Sequence, residues 1–319
     1  MKNVLAGEGP EQFEKSDRWS RPPVPRIDTY KDELVFQIVD VDYYSEPCHL
    51  TGVQSVVRLF GVTKDGNSVC GRVTGFRPYF YVTAPEGFRP ELCESLQRSL
   101  NSACMSDSRN PKNLTRAVTD ISLVTGESIY GFHNNKLMQF IKVTVALPRI
   151  VPIAKKLLET GSWDCSGIRT QNLPSYEANI DFEIRFMVDM KITGCCWVRL
   201  MPGKYSILGD RAQKESRCQI EAVVELTEHP EGLIAEAPEG QWADIAPLRI
   251  LSFDIECAGR RGVFPEPNED RVIQIANMVQ RQGDKDPFIR NAFVLGSCAP
   301  IVGSQVLSYN DEVTMLEVC

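Results

Sequence analysis

The sequence predicts an α+β protein of two domains. Strand-like and helix-like segments alternate over residues 33–161. An acidic stretch containing Pro and Gly, Glu228–Ala246, then interrupts the pattern. A strongly apolar run starts directly after it, at Pro247. The length, 319 residues, fits about two domains.

Hydrophobic residues make up 43% of the chain, enough for sizeable cores. No run approaches the ~18 consecutive apolar residues of a membrane-spanning helix. The first residues, Met1–Glu8, lack the apolar centre of a secretion signal. None of the 11 cysteines forms Cys-x-x-Cys, so neither a zinc ribbon nor a disulfide framework is signalled. A net charge of −7 argues against wholesale coating of nucleic acid but allows a local basic channel. His49, His133 and His229 are far apart and lack metal-binding spacing.

Residues 1–30 are polar and end in Arg21-Pro22-Pro23-Val24-Pro25. They read as a flexible tail that closes in a stiff extended segment, with Trp19 as an anchor. Leu34–Val39 and Val53–Val62 read as strands. Asp65-Gly66 makes a hairpin turn leading into a strand over Val69–Val73. Gly75–Val82 is an aromatic strand, with Tyr79 and Tyr81 on one face and Phe80 and Val82 on the other. Such a face, with Arg77 beside it, is either a base-stacking platform or ordinary sheet packing, and the second is commoner. Pro90 opens a helix whose buried stripe is Leu92, Leu96 and Leu100. Ser102–Thr115 reads as a loop, and Val118–Leu123 and Lys142–Leu147 as strands. Pro152–Gly161 reads as a helix with Gly161 just past its end. Gly194–Leu200 and Ser216–Leu226 read as further strands, and Glu228–Ala246 as a linker.

In the second domain, Leu248, Ile250, Leu251, Phe253 and Ile255 read as a strand buried on both faces. Asp254 and Glu256 lie two apart on it, so their carboxylates share one face. Two such groups repel unless a cation lies between them, and a hard divalent ion such as magnesium or manganese suits oxygen donors of this kind. An isolated Asp-x-Glu is more often just a strand end facing water, so its context has to decide. Arg271–Val279 and Pro287–Leu295 read as strands, and a helix begins near Ser308 with Asn310 as its N-cap. Three strands and a helix start are too few to cover a two-sided sheet, so an exposed edge and an exposed apolar face are expected.

Several strings together resemble the N-terminal part of the catalytic subunit of eukaryotic B-family replicative DNA polymerases. They are Arg18-Trp19, Gly75-Phe76-Arg77-Pro78-Tyr79-Phe80-Tyr81 and Val143-Thr144-Val145-Ala146-Leu147-Pro148-Arg149. Tyr176-Glu177-Ala178-Asn179, Phe182-Glu183-Ile184-Arg185-Phe186-Met187-Val188-Asp189, Ile245–Gly259 and Phe264-Pro265-Glu266-Pro267 complete the set. The resemblance implies a tail over 1–30 and a polymerase N-terminal domain over 31–246 with parts similar to oligonucleotide-binding (OB) and RNA-recognition (RRM) modules. It implies the start of a ribonuclease H-like 3′–5′ exonuclease domain over 247–319. It makes Asp254 and Glu256 catalytic and metal-binding, Asp254 bridging two magnesium or manganese ions and Glu256 holding the ion that activates water. It also implies a nuclear protein acting on DNA primer-template, working with accessory polymerase subunits and a sliding clamp.

The later exonuclease motifs, Asn-x-x-x-Phe-Asp and Tyr-x-x-x-Asp, do not occur in these 319 residues. Neither do the polymerase motifs or the cysteine clusters that hold zinc and an iron–sulfur centre in that family. The expectation is an incomplete exonuclease domain that is inactive by itself. The alternative is a non-catalytic module that binds single-stranded nucleic acid or a partner. Its candidates are Arg77, Tyr79 and Tyr81, with Arg72, Arg185 and Lys191 as further cations.

Overall fold

The computed structural model describes residues 20–128, 130, 134, 136–209 and 211–319. Trp19 and His133, named above, lie outside the described residues. The chain forms two compact units. The larger comprises Pro25–Gly61 and Ser68–Asp244; the smaller comprises Ile245–Cys319 with Val62–Asn67 and the stretch up to Val24.

In the larger unit a seven-stranded sheet has the order β11-β8-β1-β2-β3-β10-β9. Its strands are β1 (Leu34–Cys48), β2 (Gly52–Val62), β3 (Ser68–Thr74), β8 (Trp197–Leu200), β9 (Tyr205–Ile207), β10 (Ile220–Glu225) and β11 (Leu233–Ala235). Phe36, Leu59, Val73, Val198 and Val224 build its core together with Phe182 and Phe186 of helix α3 (Phe182–Asp189). A second sheet, β5-β6-β4-β7, consists of β4 (Tyr79–Thr83), β5 (Val118–Gly126), β6 (Met138–Val145) and the short β7 (Ser175–Tyr176). Helices α1 (Cys93–Met105) and α2 (Val151–Glu159) cover one face of it.

The alternation Ile141, Val143, Val145 points every second side chain of β6 into this core, all fully buried. Leu96 and Leu100 do the same from α1. Past α2, Gly161 adopts φ +68° and donates to the Leu158 carbonyl, while Ser162 donates to Leu157. This is the Schellman arrangement that glycine makes easy.

Several expectations need correction. α1 runs to Met105, so only the latter part of Ser102–Thr115 is loop. Glu228–Ala246 is not a bare linker: β11 lies within it and pairs antiparallel with β8, Leu233 opposite Leu200. Short polar-flanked strands of three residues carry too little alternation to be read locally. The proline-rich segment is held at its end, where the Pro22 carbonyl accepts from Asn67 Nδ2 at 2.9 Å.

The smaller unit is a four-stranded sheet with the order β12-β13-β14-β15: β12 (Arg249–Cys257), β13 (Val272–Arg281), β14 (Ile289–Leu295) and β15 (Gln305–Tyr309). The first three run antiparallel and β15 is parallel to β14. β15, missed by the sequence reading, makes four strands rather than three. Helix α4 (Glu312–Val318) places Met315 in a core of Ile275, Phe293, Leu307 and Tyr309. Its N-cap is Asp311, not Asn310: the Asp311 carboxylate accepts from Thr314 N at 2.8 Å.

The largest correction concerns β12, which is not buried. Ile250, Leu251, Phe253 and Ile255 are all exposed. Among the described residues β12 is an edge strand with a single neighbour, β13, and neither of its faces is covered. An apolar sequence states what a strand requires of its surroundings; whether this chain supplies it depends on elements far away in sequence.

Candidate metal and nucleic-acid site

β12 carries Asp254 and Glu256 on one face, where they stand opposite Ala276 and Gln274 of β13. Beyond Ala276 the same row continues with Ala292 of β14, so small side chains adjoin Asp254. Pairing shifts register between Glu256 and Cys257, the irregularity that ends a ladder and turns side chains at a strand end. Both carboxylates are exposed, and among the described residues neither has a basic partner. Asp254 Oδ1 accepts from the Ile255 amide at 3.0 Å. The structure therefore brings the two predicted acids together on an open face.

Hard oxygen donors on one face fit one side of a magnesium or manganese shell. They are two donors only. Among the described residues no group of three or more His, Cys, Asp or Glu is placed to hold a metal ion.

The loop that follows, residues 258–271, is stapled shut. At its base Ala258 N donates to Arg271 O at 2.8 Å. Inside it Asp270, buried, accepts from the Glu266 amide at 2.9 Å and from the Arg260 guanidinium at 3.1 Å. The Glu266 amide, then the Arg260 guanidinium, hold the Asp270 carboxyl below the ordinary carboxylate range. The sequence analysis does not single out this anchor. Its signal was an Asp four residues after a Glu in a Pro-rich loop, which is too common to single out.

Of the other candidates, Tyr79 and Tyr81 do share a half-exposed face of β4, with ring centroids 5.6 Å apart. Tyr79 is already engaged. Its hydroxyl donates to Asp189 at 2.6 Å, Lys142 Nζ lies 3.8 Å from its ring centroid and the Arg185 guanidinium 4.6 Å. Burial, then the Asp189 bond, raise the Tyr79 hydroxyl above its usual value. Arg185 is buried and bonded to Glu177, and Arg72 is paired with Glu46 and Glu221. These two are structural cations. Arg77 is half-buried, and Lys191 is exposed with φ +57°.

Comparison with known proteins places these features in a class. The model of the DNA polymerase family B exonuclease domain matches residues 173–319, and that of the DNA polymerase delta catalytic subunit-like N-terminal domain matches 75–152. The solved family B DNA polymerase of Pyrobaculum calidifontis shares the fold: TM-score 0.52 and 21% identity, over 85% of this chain and 28% of that one. Separate segments of the chain are thus similar to the N-terminal and exonuclease domains of B-family DNA polymerases.

More particularly, it is related along nearly its whole length to the N-terminal region of DNA polymerase delta catalytic subunits. It is 48% identical to that of Drosophila melanogaster, over 98% of this chain and 29% of the relative. It is 45% identical to that of Bos taurus, over 94% of this chain and 27% of the relative. The chain therefore spans less than a third of the length of these relatives. Among the described residues no helix is long and apolar enough to cross a membrane.

Proposed function

We propose that this chain contributes the N-terminal and proofreading portion of a nuclear replicative DNA polymerase. The intact enzyme extends a DNA primer-template and removes wrong 3′ ends by phosphodiester hydrolysis. Residues 31–246 form its N-terminal domain, and 247–319 begin its exonuclease domain. The observation that carries this reading is the pair Asp254 and Glu256, exposed together and without a basic partner among the described residues, inside the segment matched by the exonuclease model.

In this reading the two carboxylates hold magnesium or manganese at the exonuclease site. Such ions, when bound, stabilise charge developing on a scissile phosphate and acidify water. The small, exposed side chain of Ala276 leaves the acid-bearing face open beside Asp254 to a nucleic-acid end. The later exonuclease motifs do not occur in these 319 residues, so in this reading residues 1–319 by themselves hold an incomplete site and are expected not to hydrolyse DNA. Accessory polymerase subunits and a sliding clamp act on the enzyme as a whole.

Manganese binding tests the site. Electron paramagnetic resonance of residues 1–319 titrated with Mn2+ should show weak binding that disappears in Asp254→Asn/Glu256→Gln. Equal binding by parent and variant would overturn the assignment. A parallel nuclease assay with Mn2+ on matched and mismatched primer ends should show no product. Degradation lost in Asp254→Ala would refute inactivity.

A further inference from the structure

A polyanion approaching Asp254 and Glu256 meets like charge, and a bound divalent ion offsets only part of it. Fixed cations beside the acids would complete the site. Three arginines lie in the loop that begins two residues after Glu256, and the structure treats them differently. Arg260 is consumed by the staple: its guanidinium bonds Asp270 and lies 3.7 Å from Glu266. Arg261 and Arg271 are exposed and form no ion pair among the described residues.

Their placement is fixed by backbone. Val263 N donates to Arg260 O at 3.2 Å, closing a β-turn with Arg261 second and Gly262 third. Gly262 has φ +75°, which a type II turn requires at that position. Arg261 is therefore carried at the corner of a defined turn. Arg271 sits at the loop base, where its carbonyl is tied to Ala258. It lies three residues before Gln274, the strand partner of Glu256.

We propose that Arg261 and Arg271 are phosphate-binding residues that dock a nucleic-acid backbone beside the acid pair, with the Arg260–Asp270 staple as the positioning element. The inference rests on the reading of Asp254 and Glu256 as a metal and nucleic-acid site. The ligand class is the sugar-phosphate backbone of a single strand, recognised by charge and without regard to base. Arginine suits this, since its planar fork matches phosphate oxygens.

The test uses residues 1–319 and a fluorescein-labelled single-stranded oligothymidylate, with binding followed by anisotropy across a salt series, with and without Mn2+. The parent should bind more tightly with Mn2+, and Asp254→Asn/Glu256→Gln should lose that increment. Arg261→Gln and Arg271→Gln should each weaken binding about three- to tenfold and reduce the salt slope by about one. The same loss should appear on a mixed-sequence strand. Arg261→Lys should restore the slope, which a purely structural role would not do. If the parent shows no Mn2+ increment, the reading of the acid pair falls and takes this inference with it. If the increment is present and lost with the acids, but either arginine variant keeps the parental slope, the inference alone is overturned.

Discussion

Lys142 Nζ lies 3.8 Å from the centroid of the Tyr79 ring, and the Arg185 guanidinium lies 4.6 Å from the same ring. The aromatic strand face is thus spent on packing two cations and hydrogen-bonding Asp189. Burial and Asp189 keep the Tyr79 proton on in the folded state. An unfolded chain releases it at the ordinary tyrosine value of about 10. The contribution to stability is therefore complete below that value and is lost as pH rises above it. Difference-absorbance titration should show one more late-ionising tyrosine in the parent than in Tyr79→Phe. Coincident titrations would remove the basis for this account.

Glu221 is completely buried and accepts from Glu215 N, Ser216 N and Ser216 Oγ, at 2.9, 3.0 and 2.7 Å. Arg72 lies 3.7 Å away. Glu221→Gln keeps the shape but replaces a charged acceptor with one that also carries donors. It also leaves the largely buried Arg72 guanidinium less compensated. We expect about 2–4 kcal/mol of destabilisation by urea unfolding. A loss under about 0.5 kcal/mol, the range of ordinary surface changes, would contradict this.

What could be read from the sequence was whatever local chemistry decides. Ile141, Val143 and Val145 alternate because a strand with one packed face demands it. Gly161 ends α2 because its backbone takes φ +68° cheaply. The acid pair was legible because two residues along any strand return to the same face. What was not legible depends on distant partners. β15 is a strand because β14 receives it in parallel, and β11 because β8 receives it antiparallel. Asp270 matters because the turn brings Arg260 and Glu266 N to it. Phe253 and Phe293 look alike as sequence, yet one is 67% exposed and the other fully buried.

That contrast makes a mutational prediction. Phe293→Ala opens a cavity in the small core of β13–β15 and α4 and should cost about 3–5 kcal/mol. Phe253→Ser removes an exposed ring from an uncovered edge strand and should change stability by less than about 0.5 kcal/mol. The same substitution should lower self-association, because a bare apolar edge pairs readily with other chains. Urea unfolding and sedimentation velocity on the two variants measure both effects. A large destabilisation in Phe253→Ser would mean that β12 is covered in solution.

The Asp270 staple should release in acid, with a sign set by its depressed ionisation. The folded state binds a proton to Asp270 less readily than the unfolded chain, whose carboxyl titrates near 3.9. The stabilisation is therefore present above the ordinary carboxylate range and declines as pH falls through and below it. Hydrogen exchange of residues 258–271 reports this locally, after correction for the intrinsic rate at each pH. Protection at Glu266 N, which donates to Asp270, should hold near pH 6 and fall as pH is lowered towards about 3. In Asp270→Asn it should be low throughout and nearly independent of pH, because the neutral amide binds Arg260 and the Glu266 amide more weakly. A variant that retained parental protection at neutral pH would show that the loop closes without its buried carboxylate.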